Sequence, residues 1–239
     1  SLLFIILAIK QLFMFLNRAI LFLLIFFNIN ILFSQNIKSD FYREDQIYIS
    51  LYYNSLKNDV SDLKENKFSS SINFGFIRDI PLNKSGKFAI GLGIGFGFNT
   101  YNNNLKINYQ SSNNFFSGEY LENQIEYNYN RFNMNEIQFP IEIRFRNSSI
   151  DNYKFWRLYA GLKYSKAISR KYKFENLDSN YTLNNIPINS DQLGLTLNIG
   201  FNTWNIGLYK AIKPFFSGNQ NNLSLDLEQF KVGLVFYIL

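Results

Sequence analysis

The chain has 239 residues, 24 Lys and Arg against 18 Asp and Glu, a formal charge of +6, and neither histidine nor cysteine. Without thiols there is no disulfide framework, thiolate metal site or acylated lipoprotein cysteine, and without imidazole the His-dependent hydrolytic and zinc chemistries are closed to it. The basic excess is scattered over loops and strand faces, which argues against a nucleic-acid partner.

Ser1 to Phe33 is apolar apart from Lys10, Arg18 and a few amides. It can be read as one transmembrane helix or two, but from Met14 onward it has the order of a secretory leader. Met14-Phe-Leu-Asn-Arg18 supplies a positive n-region, Ala19 to Phe33 an apolar h-region, and Ser34-Gln35 a small residue at the cut. Residues 1–34 are therefore expected to be a signal peptide starting at Met14, and 35–239 a single exported domain.

Beyond the leader the chain alternates residue by residue. Phe88, Ile90, Leu92, Ile94, Phe96 and Phe98 stand against Ala89, Gly91, Gly93, Gly95 and Gly97, so a strand here has one oily face and one nearly bare. The pattern returns with charge on the second face: Ile137, Phe139, Ile141, Ile143 and Phe145 against Glu136, Gln138, Glu142, Arg144 and Arg146. Hydrocarbon outside and polar matter inside is the pattern of a transmembrane β-barrel, and an exported barrel belongs in an outer membrane.

A transmembrane strand needs about 9 to 11 tilted residues. Eight such segments are expected: 46–56, 68–80, 87–109, one ending at Arg146, 154–173, 192–202, 204–213 and 223–239. The connections sort by length. Those after the second, fourth and sixth are short (82–86, 147–153, 202–203), and those after the first, third, fifth and seventh are long and rich in Asn, Ser and Lys (57–67, 110–130, 174–191, 214–222). Short periplasmic turns and long outer loops are the bacterial arrangement, so the fold expected is all-β, an eight-stranded antiparallel up-and-down barrel. Tyr101, Tyr109, Phe155, Trp156, Trp204 and Tyr237 sit near strand ends, either as an interfacial belt or by chance in so aromatic a chain.

Eight strands enclose a space that side chains fill, so no diffusion pore is expected. Glu142, Arg144, Arg146, Arg157 and Lys163 are placed inside as a charge network, with the glycine column making room for guanidinium groups. Glu142 should pair with Arg144 or Arg157, and Asp226 or Glu228 is available from the last strand. A structural salt-bridge plug accounts for these charges better than a ligand or proton path. Gly91-Leu-Gly93-Ile-Gly95 lacks the strand-turn-helix setting of a nucleotide loop and follows the strand period instead. No catalytic residues, metal or cofactor are expected.

Particular strings add to the period. Gly75-Phe-Ile-Arg78-Asp79-Ile-Pro81, Phe139-Pro140-Ile-Glu142-Ile-Arg144-Phe-Arg146 and Tyr153-Lys154-Phe155-Trp156-Arg157 together resemble the PorT family of Bacteroidetes outer-membrane barrels, called SprT in gliding members. The resemblance covers about residues 46–239 and is distinctive in the second to fifth strands. It implies a non-enzymatic part in type IX protein secretion, with other secretion subunits as partners. Arg78, Asp79, Arg146 and Arg157, beside the short turns, are the expected periplasmic docking residues. Besides membrane lipid, the barrel-assembly machinery is an expected partner: Lys231, Gly233, Phe236 and Ile238 fit its last-strand signal, and fit an ordinary final strand equally. An independent porin-like barrel that binds a ligand or surface partner through its outer loops is the other reading.

Overall fold

The computed structural model describes residues 45–57, 63–65, 67–110, 115–122, 126–147, 155–216 and 227–238. The expected signal peptide, its start at Met14 and Asp226 lie outside the described residues. Alternation becomes strand throughout: β1 (Gln46–Lys57), β2 (Ser70–Pro81), β3 (Phe88–Asn102), β4 (Leu105–Gln110), β5 (Phe115–Tyr120), β6 (Tyr129–Arg146), β7 (Trp156–Glu175), β8 (Asn180–Asn184), β9 (Asp191–Phe201), β10 (Trp204–Ala211) and β11 (Glu228–Ile238).

Eight of these, β1, β2, β3, β6, β7, β9, β10 and β11, pair antiparallel each with the next, and β11 returns to β1 from Ile47 opposite Ile238 to Lys57 opposite Glu228. These eight strands thus form a closed ring with no open edge among them. Among the described residues no helix is long and apolar enough to cross a membrane; the strands do so instead.

The oily face of each strand points out. Ile49, Leu51, Phe74, Phe76, Leu92, Ile94, Phe96, Ile141, Ile143, Leu158, Leu162, Ile199, Ile206 and Leu234 are all exposed on the outer wall. Their neighbours one residue along are buried inside. At the short-turn end Trp156 packs on Phe201 and Trp204 on Phe236, with ring centroids 5.5 and 4.8 Å apart, as half of an aromatic belt. Tyr101, Phe155 and Tyr237 do not join it: each is buried within the barrel, because the strand pleat turns them inward.

Short turns close one end. Asn202, with φ 56°, supplies the left-handed residue of the two-residue β9–β10 turn, and Gly86, with φ 66°, does so in the β2–β3 turn.

The opposite end is more elaborate than eight plain strands. The third segment does not run on to Tyr109; it breaks at Asn103-Asn104. Asn104 exchanges hydrogen bonds with Lys64 (2.7 and 3.0 Å), its carbonyl accepts from the Leu121 amide (2.8 Å), and the Asn103 side chain accepts from the Leu105 amide (3.0 Å). Beyond the break β4 pairs with β5 as a separate hairpin, and β8 pairs with the far end of β7. The hairpin, the segment after β8 and the β10–β11 connection together carry Leu105, Ile107, Leu121, Ile186, Ile188, Phe215, Phe216 and Leu227 over the mouth, onto Tyr101, Phe132, Met134, Tyr172 and Phe174 from the strands. Phe132 lies 5.1 Å from Tyr172 and 5.7 Å from Phe216, an aromatic stopper in the barrel's outer end.

A bulge makes that stopper compatible with a continuous β7. Between Asn135 and Glu136 the register shifts, since Asn135 faces Ser169 while Glu136 faces Ala167. Ile168 is the extra residue and lies exposed. Below it Lys163 and Ser165 point inward; above it Tyr172 and Phe174 do, and Lys171 and Lys173 point out.

Candidate functional site

The lower half of the barrel interior is polar and fully enclosed. Asp79 on β2 and Arg144 and Arg146 on β6 are each without exposed surface. Arg144 Nη1 lies 3.2 Å from Asp79 Oδ1, Arg146 Nη2 lies 2.7 Å from Asp79 Oδ2, and Arg144 Nε donates to Glu142 Oε2 at 3.0 Å. The Arg144 guanidinium also lies over the Tyr159 ring, 4.6 Å from its centroid. Gly91 makes this possible, because a Cβ there would sit 2.5 Å from Arg144 Nε.

Glu142 therefore pairs with Arg144 and not with Arg157. Arg157 donates to the carbonyl of Asn202 and stacks on Phe155, 4.4 Å from the ring centroid. Glu228 does not enter the barrel; it is exposed at the outer rim and pairs with Lys210 at 3.1 Å.

Higher up, amides and lysines take over. Gln138 donates to Asn73 (2.9 Å) and Glu136 (2.7 Å), and Asn73 donates to Ser50 (2.9 Å). Lys163 lies over the Tyr209 ring at 4.5 Å, and Lys231 donates to Asn99 at 2.6 Å. Between these layers a cavity of about 30 Å³ is bounded by Tyr48, Tyr52, Gln138, Glu142, Lys163 and Asn198. That holds a water or two and no larger ligand. Among the described residues no three His, Cys, Asp or Glu gather to hold a metal ion.

The residues read from sequence thus separate into three places. Glu142, Arg144, Arg146, Arg157 and Lys163 are all buried inside. Of the docking set, only Arg78 is at the surface, 3.2 Å from Asp45 at the short-turn rim; Asp79 and Arg157 present no charge to a partner, because both side chains are turned inward and engaged. Of the last-strand set, Lys231 is buried inside, while Ile238 is exposed on the outer wall. Asp79 is the network member that sequence reasoning misplaced. Its signal was parity, since Ser71, Asn73, Ile77 and Asp79 share one face of β2.

Comparison with known families matches residues 33–236 to the outer membrane protein beta-barrel domain. No curated protein matches the sequence. Similar solved structures include two of Ail, the attachment invasion locus protein of Yersinia pestis, one of them in complex with the heparin analogue sucrose octasulfate. The first has 14% identity, covers 82% of this chain and 99% of Ail, and has a TM-score of 0.36. The second has 12% identity, 81% and 97% coverage, and the same TM-score of 0.36.

Proposed function

Because this chain belongs to the outer membrane protein β-barrel domain family, and is therefore an integral barrel of the bacterial outer membrane, we propose that it works as a closed, non-enzymatic scaffold of the type IX secretion machinery. One observation carries the scaffold reading: among the described residues the barrel interior is filled at both levels. Its lower half is filled by the Asp79, Glu142, Arg144 and Arg146 network and its outer mouth by the Phe132, Tyr172 and Phe216 cluster. A barrel so filled acts through its surfaces. The secretion assignment rests on the resemblance of β2, β3, β6 and the start of β7 to PorT proteins, and the exposed Arg78–Asp45 pair is the docking point at the periplasmic rim.

Two measurements test this. Purified protein in planar bilayers should give no stepwise conductance, and an ohmic channel would end the scaffold reading. Arg78→Glu, shown to assemble normally, should reduce surface delivery of cargo bearing the secretion signal. Undiminished delivery would remove the docking point.

The outer-loop reading keeps one specific observation. The β4–β5 hairpin is structured and displays Tyr109 against Phe116, with centroids 4.8 Å apart, on the outer side. Deleting 112–128 would not test it cleanly, since Leu121 belongs to the buried cap. Tyr109→Ser leaves the cap intact, and loss of a surface-binding phenotype with secretion preserved would favour this reading.

A further inference from the structure

On the outer wall of β6 and β7 the apolar band gives way to positive charge. Arg131 faces Lys173, Asn133 faces Lys171 and Tyr129 faces Glu175 across the strand pair. Three cations converge on the one exposed ring of Tyr129: Lys173 Nζ at 4.2 Å, Arg131 Cζ at 4.7 Å and Lys67 Nζ at 5.8 Å from its centroid. Among the described residues one carboxylate, Glu175, pairs with the group, 2.8 Å from Lys173. Like charges gathered so closely, with one counter-charge among them, leave an anion's place open.

Height fixes which anion. Asn135 pairs with Phe98, the last apolar residue on the outer face of β3, and Arg131 lies four positions beyond it. At about 3.4 Å per residue and a tilt of about 40°, the base of Arg131 stands roughly 10 Å above the hydrocarbon edge. That is the level of lipid headgroups, and long basic side chains there reach a phosphate directly. The exposed Phe68 and Tyr53, with ring centroids 5.4 Å apart and tilted to one another, lie beside the ledge.

We propose that Lys67, Arg131, Lys171 and Lys173 form a site for the phosphomonoester of an outer-leaflet glycolipid, whose acyl chains lie against Phe98, Ile137 and Phe139. The bulge at Ile168 creates the site, because a strict two-residue alternation of the same residues from Lys163 would turn Lys171 and Lys173 into the barrel interior. Two other exposed lysines each pair with a carboxylate of their own, Lys210 with Glu228 at 3.1 Å and Lys166 with Asp191 at 2.9 Å, whereas here one carboxylate serves the whole group.

The test uses protein extracted from its membrane in mild detergent and compares bisphosphorylated lipid A with the same lipid dephosphorylated. The bisphosphorylated form should bind at least tenfold more tightly, and the gap should close in the triple variant Arg131→Gln, Lys171→Gln, Lys173→Gln. Arg131→Lys with Lys173→Arg, which keeps the charge, should retain the preference and controls for folding, as should Lys210→Gln on the far side. Equal binding of the two lipids, or an unchanged preference in the triple variant, would overturn the site. A soluble inositol polyphosphate or a sulfated polysaccharide binding as tightly as the lipid would overturn the lipid as its source.

Discussion

Arg144 and Asp79 meet at 3.2 Å with neither side chain exposed, although 65 residues separate them in the chain and one strand, β3, in the sheet. Asp79 also holds Arg146 at 2.7 Å, so a single carboxylate serves two guanidinium groups. Replacing both partners of such a pair is cheap compared with orphaning one. Asp79→Asn should therefore lower the barrel's unfolding free energy by about 3–5 kcal/mol, read as the shift in urea midpoint in detergent. The double variant Asp79→Asn, Arg146→Met should recover part of that loss. Equal stability of the parent and Asp79→Asn would mean that water already screens the pair.

Gly91 stands opposite that network, and the space it leaves is occupied by Arg144. A Cβ there would meet Arg144 Nε at 2.5 Å and Ile77 Cγ2 at 3.0 Å. Arg144 has little freedom to withdraw, being held by Asp79 and Glu142. Gly91→Ala should cost about 1–3 kcal/mol, whereas Ser85→Ala in the exposed β2–β3 turn should change little. Unfolding titrations of the two variants under one condition decide it.

Period 2 made the barrel legible. Glu142, Arg144 and Arg146 alternate with Ile141, Ile143 and Phe145, and no other fold accommodates that contrast so simply. The same rule, applied to β2, sends Asp79 inward with Asn73 and Ile77; proximity to a turn was the wrong guide to its exposure. The cap was harder to read. Its residues come from eight separate stretches, Ile107, Leu121, Phe132, Ile188 and Phe216 among them, and what unites them is closeness in space. Asn103-Asn104 was the local sign of the break, but in a chain so rich in asparagine it did not stand out. The strings that resemble PorT proteins lie in the barrel wall, so they say nothing about the loops.

On the β4–β5 hairpin, Lys106 lies 2.9 Å from Glu119, and its hydrogen bond holds the Glu119 carboxyl below its ordinary value of 4.5. A lowered folded-state value stabilises the hairpin above that ordinary value, and the contribution is lost as pH falls through the folded one. Spin labels at positions 109 and 116 should therefore report a distance distribution that broadens on acidification from about pH 6 to about pH 3. In Lys106→Met the change with pH should be smaller, the Asn108 hydrogen bond to Glu119 remaining. The effect is small because the pair is largely solvated.

Deleting Ile168 should leave the two faces of β7 as they are. Counted from Lys163 and Ser165 with the extra residue gone, a strict two-residue alternation still turns Tyr172 and Phe174 inward and Lys171 and Lys173 outward. The bulge absorbs one surplus residue between two stretches of strand that are otherwise in phase, and the deletion should join the pairing of Asn135 with Ser169 and of Glu136 with Ala167 into an unbroken ladder. The native chain has no cysteine, so a single Tyr172→Cys reports the face without ambiguity. This thiol should resist a membrane-impermeant maleimide equally in the parent background and in the deletion. A thiol that reacts at least tenfold faster in a folded deletion variant would mean that the local bend of the bulge, and not the residue count, sets which way β7 faces.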